Sequence, residues 1–278
     1  MLALRSRMRK GLVLAAVAGT GAVAASCSIS QQREIELGQQ YAADINRQLP
    51  IVDDAAVNRY INALGDEIAV HGDRDIDYRF YIVNSDIVNA FAVPGGFVYV
   101  NRGLVEAADN MSELAGVIAH EIGHVEERHS VEQMERLQGA NLGLNLAYIL
   151  LGRRPSGVER AAIDVGGGLV FSSYSRKAEE EADQTAIALL VAADINPEGL
   201  VTFFDELLEQ RSRRPSQLEQ WFSTHPLTED RIDHVQQVID RTPGAQAPGL
   251  QTQSNAFAAF KAQLRQYPEP PPEYRARN

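Results

Sequence analysis

The chain has 278 residues, 45% hydrophobic and 23% charged, enough for one sizeable core with appendages. Its formal charge is -11, and beyond the first 26 residues 22 basic side chains face 37 acidic ones, a balance of -15. That acidity, with no basic patch interleaved with aromatics and no glycine-rich phosphate loop, argues against nucleic acid as a partner and against an electrostatic grip on anionic lipid.

Residues 1–26 read as an export signal: Arg5, Arg7, Arg9 and Lys10 precede an apolar run over 11–18, and small residues follow. The run is too short and too rich in Gly and Ala for a spanning helix. Ala24-Ala25-Ser26-Cys27 resembles the lipobox of bacterial lipoproteins, although Ala24 stands where that pattern usually has Leu. The resemblance implies a lipid anchor on Cys27, and Ser28 after it implies sorting to the outer membrane of a Gram-negative cell. The alternative is cleavage near Ala22-Val23-Ala24, releasing a protein with a spare thiol. As the single cysteine, Cys27 rules out an intramolecular disulfide and a cysteine metal site.

Helical spacing of Ile35, Leu37, Tyr41 and Ile45 predicts a first helix over 31–48, and a second runs from an Asp54 cap to about Val70. Strand signals follow over 77–83, 90–93 and 97–100, the last two flanking Pro94-Gly95-Gly96, a hairpin turn. Ala90, Phe91 and Ala92 are candidates for an edge strand that pairs with an extended peptide; an ordinary packed hairpin is the equal alternative. Asn101-Arg102-Gly103-Leu104 opens a short helix. Past the motif described next, helix continues over 130–151, Arg153–Gly157 breaks it, and Gly166-Gly167-Gly168 suggests a loop or plug over a cleft. Further helices are expected over 175–193, 197–211 and from 228, with a linker at 213–216 and a loop at 221–226. Residues 242–254 read as a flexible linker, 255–267 as a C-terminal helix and 268–278, with four prolines, as a disordered tail.

His120-Glu121-Ile122-Gly123-His124 follows the apolar run 111–119. On a helix the two imidazoles fall on one face, one turn apart, and both can reach one metal ion. Glu121, beside the first of them, is placed to take a proton from a water activated by that metal. A catalytic site needs a third protein ligand. Glu179-Glu180-Glu181-Ala182-Asp183 offers Glu179 as that ligand with Asp183 one turn on to accept a histidine N–H, or else is a solvated acidic face.

Together these segments resemble the HtpX- and BepA-like zinc metalloendopeptidases, a family that includes the CAAX prenyl protease and mitochondrial Oma-type proteases. The match runs in order through Asn89–Ala92 with Pro94–Gly96, Asn101–Leu104, His120–His124, Ser175-Arg176 with Glu179, Ala182 and Asp183, and Ser223–Pro226 with Arg231-Ile232. The resemblance implies an α+β, mainly helical, zincin-like (gluzincin) domain over 27–241 with a small sheet beside the metal helix. It implies one Zn2+ per chain held by His120, His124 and Glu179, with Glu121 as general base and Asp183 in support. His225 is expected to order its loop, to occupy the open metal position, or to donate to the oxyanion. Arg176 is expected to brace Glu179 or an acidic neighbour. His71, His129 and His234 read as surface or structural residues. Unfolded or misfolded envelope polypeptide is the implied substrate, and the periplasmic lipoprotein branch the implied setting. The rival readings are a zinc-stabilised chaperone or outer-membrane assembly factor, and a lipid-anchored interaction protein without metal.

Overall fold

The computed structural model describes residues 28–139, 174–211 and 213–276. The export signal, Cys27, the helix expected beyond 139 and the glycine-rich segment 153–173 lie outside the described residues. Among those described, the expected mainly helical α+β architecture is observed, and no helix is long and apolar enough to cross a membrane.

Helix α4, Met111–Glu126, is the axis of the fold, with every side chain from Met111 to Val125 buried. The chain wraps this helix on every side, enclosing its apolar residues together with the polar His120, Glu121 and His124. Its start is capped by Asn110, which accepts from the Glu113 N–H, while Glu113 accepts from Asp109 N–H at 2.6 Å. Helix α6, Arg176–Ala192, and α7, Glu198–Arg211, pack along it, the order in which the sequence places them. Gly123 admits α6 at backbone distance, since a Cβ there would lie 2.6 Å from the Ala182 carbonyl oxygen.

On the other side, α4 meets α2, Ala55–Ala69, and a three-stranded sheet of β1, Arg79–Val83, β2, Ala90–Val93, and β3, Phe97–Asn101. The strand order is β1-β3-β2, with β1 parallel and β2 antiparallel to β3. The Gly95 and Gly96 turn between β2 and β3 takes φ of 79° and 89°, which glycine adopts without strain. Period-two alternation splits the sheet between two cores. Phe80, Ile82, Ala90, Ala92, Val98 and Val100 face α2 and α4, whereas Val83, Val93, Phe97 and Tyr99 face α1, Gln31–Gln48. On that second face Tyr99 stacks between Tyr81 and Phe91 at 5.0 and 4.9 Å. Glu34 of α1, 1% exposed, is clamped by Arg74 at 2.7 Å and Arg128 at 3.1 Å, which pins α1 to the end of α4.

Helix α3, Arg102–Ala107, leads from β3 to α4, and α5, His129–Gly139, follows α4. The segment 221–226, expected as a loop, is mostly helix: α8, Pro215–Thr224, starts with proline in its first turn and buries Leu218 and Trp221 on one side. Helix α9, Glu229–Arg241, is capped by Thr228, and α10, Asn255–Gln266, buries Phe257, Phe260 and Leu264 against α2.

Two further expectations are corrected. Residues 242–254 are fastened to the core rather than flexible, because Gln251 bridges to Ile195, the Thr252 carbonyl accepts from Ser112 N–H and Ala245 is buried. The proline-rich tail is ordered to residue 276, because its carbonyls satisfy buried donors elsewhere. Pro268 accepts from Asn84 at 3.1 Å and Arg102 at 3.0 Å, Tyr274 accepts from the Ser85 hydroxyl at 2.9 Å, and the Tyr274 hydroxyl donates to Gln48 O at 2.7 Å. Proline's restricted φ lowers the entropy lost on such docking.

Candidate metal centre

His120 and His124 direct their Nε2 atoms at one another from successive turns of α4, 3.1 Å apart. The Ser175 hydroxyl accepts from Ala178 N–H and starts α6 so that Glu179 falls in its first turn, facing α4. Glu179 Oε2 stands 3.5 Å from His120 Nε2, and Oε1 stands 3.4 Å from His124 Nε2. The fourth group is His225, cap residue at the end of α8, whose ring stacks on Trp221 at 4.8 Å. Its Nδ1 lies 3.3 Å from His120 Nε2 and 3.2 Å from Glu179 Oε1. One ligand atom from each of the four falls within 4.8 Å of all the others, and none of the four is more than 1% exposed.

Hydrogen bonding around this cluster decides what it can hold. Asp183 Oδ1 lies 2.9 Å from His120 Nδ1, and a carboxylate only accepts, so the proton sits on Nδ1 and the Nε2 lone pair points inward. Lone pairs of imidazoles and a carboxylate converging in a dry site repel one another unless they share a cation. Two nitrogens and an oxygen are a donor set suited to a divalent first-row metal. The residues present therefore fit one.

Behind Asp183 lies Arg231, on the buried face of α9. Its Nε and Nη2 grip the two Asp183 oxygens at 2.8 and 2.7 Å, its Nη1 bonds Glu179 Oε2, and it also donates to Pro226 O at 3.2 Å. This planar fork spans both carboxylates, and its face lies 4.8 Å over the Phe204 ring. Burial works against ionised Asp183, yet Arg231 and His120 hold its carboxyl down at about 2. Burial likewise opposes ionised Glu179, and His225, Arg231, His120 and His124 bring it well below the usual carboxylate range. Burial pulls His124 well below an ordinary imidazole, which keeps it neutral, the form that binds metal.

Glu121 takes a different role. Burial pushes its carboxyl upward, and it accepts from the backbone N–H of Ala92. Its Oε1 has no hydrogen-bond partner among the described residues and faces His225 Nε2 at 3.5 Å. Ala92 belongs to β2, one of the sheet's two edge strands. Because Asn89 O accepts from Asn101 N–H, alternate residues turn toward β3, and the backbone groups of Ala90 and Ala92 lie on the free edge.

The pattern of peptidase family M48 matches residues 52–239, a span containing every group just described. The chain belongs to that family. The beta-barrel assembly-enhancing protease of Escherichia coli (strain K12) is 33% identical over 218 residues, 75% of this chain and 44% of that protein. Metalloprotease LoiP of the same organism is 31% identical over 175 residues, 63% of this chain and 66% of LoiP. Mitochondrial metalloendopeptidase OMA1 of Schizosaccharomyces pombe is 28% identical over 178 residues, 61% of this chain and 49% of OMA1. The match thus covers less than half the length of the assembly-enhancing proteases themselves.

The structure brings His120, Glu121, His124, Glu179, Asp183 and His225 together. It does not bring Arg176, which is exposed on the rim of a cavity of about 270 Å³ beside Glu179. The bracing expected of Arg176 is supplied by Arg231, because α9 approaches α6 from the buried side. His225 does more than order its loop, since its ring nitrogen is within the cluster. Arg231 was legible only as part of a family segment, though a signal existed: it lies on the same helical stripe as Val235 and Ile239, an unusual place for a cation. His71 and His234 do not join the cluster. Replacing Arg231 with Met leaves two buried carboxylates uncompensated, and the expected loss is about 3–5 kcal/mol of stability. Thermal unfolding and metal uptake check this; Arg231→Lys is expected to restore neither fully, because one ammonium cannot span both carboxylates.

Proposed function

We propose that this chain is a zinc-dependent endopeptidase that hydrolyses peptide bonds of misfolded or unfolded cell-envelope proteins. The observation that carries the reading is Glu121: a buried carboxylate with one oxygen unpartnered, beside three converging metal donors and tied to the free edge of β2. A structural metal site has no use for such a base. When bound, zinc would supply Lewis acidity, acidifying water and polarising a carbonyl. Glu121 takes the proton of the attacking water and passes it to the leaving nitrogen. Of the three expected edge residues, Ala90 and Ala92 turn backbone groups outward to an extended substrate, whereas those of Phe91 turn to β3; such pairing reads main chain rather than sequence and so suits unfolded polypeptide. In the arrangement observed, His225 stands among the metal donors and beside Glu121, where water and substrate must enter, so we assign it as a brake that swings out for activity.

The envelope setting rests on the export signal and on a relative whose name places it in beta-barrel assembly. A Cys27 lipid anchor in the outer membrane belongs to the same proposal. Mass spectrometry of the mature N-terminus is expected to find Cys27 first and acylated; an unmodified chain starting at Ala25 contradicts the anchor. The rival, a zinc-stabilised chaperone or assembly factor, draws on the same position of His225, which predicts slow cutting at rest.

Degradation of an unfolded model protein separates the two readings. Glu121→Gln is expected to keep its zinc and to lose about 10²–10⁴-fold in rate, and His225→Ala to cut faster than the native chain. Zinc-loaded forms of all three that cut nothing would put the chaperone first.

A further inference from the structure

His120 has a carboxylate of its own behind it, whereas His124 has none. Its Nδ1 instead meets the Nδ1 of His129 at 3.0 Å. His129 is 3% exposed, and its Nε2 lies 3.3 Å from Glu181 Oε2, which Lys177 holds at 2.6 Å. We propose that His129 and Glu181 are positioning residues that fix His124 as a metal ligand through a carboxylate–imidazole–imidazole relay. The inference rests on the metallopeptidase reading and deepens it.

The proton assignment follows from which atoms can only accept. The Glu181 carboxylate accepts, so His129 carries its proton on Nε2. A neutral His129 then presents a bare Nδ1, which accepts from Nδ1–H of His124. That leaves the His124 Nε2 lone pair aimed at the cluster, as Asp183 arranges for His120.

The backbone is bent to build this contact. In a continuous helix a residue five positions on would point about 140° away, at about 100° per residue. Arg128, between α4 and α5, takes φ of 59°, a left-handed conformation unusual for a residue with a long side chain. It is held there by Glu34 and by the Ile29 carbonyl, and the turn brings His129 back over His124. The next residue, Ser130, bonds the Tyr174 hydroxyl at 3.0 Å, and the Tyr174 ring stacks on His124 at 3.9 Å and 21°. The start of α5 therefore grips His124 at its edge and, through Tyr174, on its face. Glu181 lies about 200° round α6 from Glu179, so it cannot share the metal and acts only at this remove.

Zinc affinity, measured by competition with a chromophoric chelator, tests the relay in the native chain, His129→Leu, His129→Asn and Glu181→Leu. His129→Leu is expected to bind zinc about 10–100-fold more weakly, with kcat lowered and KM little changed. Asn keeps an acceptor near the Nδ1 position, so His129→Asn is expected to recover most of the affinity; a packing role alone would leave it as weak as Leu. Glu181→Leu, at a partly exposed position remote from the core, is expected to shift affinity in the same direction and keeps the test open if His129→Leu does not fold. Native affinity in His129→Leu or in Glu181→Leu, or His129→Asn no better than His129→Leu, overturns the relay while leaving the peptidase standing. A native chain that takes up no zinc overturns both.

Discussion

Two imidazole nitrogens 3.1 Å apart, each with its lone pair turned toward the other, cannot be left to themselves in a dry interior. Much of the structure exists to hold that arrangement. The α4 helix that bears them is enclosed on every side, so neither ring can turn to water. Asp183 at one Nδ1 and His129 at the other fix both tautomers inward. Glu179 adds a third donor from a helix whose close approach depends on the missing side chain of Gly123.

Such a site concentrates charge where charge is costly. Glu121, Glu179 and Asp183 are all buried within it, and one guanidinium, that of Arg231, is buried with them. Arg231 binds Asp183 with two nitrogens and Glu179 with the third, which no lysine geometry could do. Glu121 is left outside this grip, attached instead to the Ala92 N–H of the edge strand. The division would separate roles: the carboxylates held ionised would support a metal, while the one raised by burial would move protons in the proposed reaction. The same bond couples the base to the strand that a substrate would extend.

The parts of this arrangement that were legible in the sequence are those written in local spacing. The imidazoles of His120 and His124 share a face because four residues make about one turn, and the same rule pairs Glu179 with Asp183. Two-residue alternation from Phe80 to Ile82 and from Ala90 to Ala92 marked the strands, and Pro94-Gly95-Gly96 marked their turn. What local spacing does not carry is which distant helices meet. Arg231 reaches Asp183 across 48 residues and His129 reaches Glu181 across 52. Nothing near Arg176 signals that it would be displaced from its expected task. The proline-rich tail misled for a related reason: its composition favours disorder, but Asn84, Ser85 and Arg102 offered donors that only the fold brings to it.

The central claim is that these converging donors hold a single catalytic-type metal ion. Elemental analysis of the purified mature chain, beside His120→Ala, tests it most directly. The account predicts about one zinc per native chain and little or none in the variant, since two remaining donors and a competing His225 do not make a stable site. A native chain without bound metal, or a His120→Ala chain that keeps a full equivalent, would contradict it.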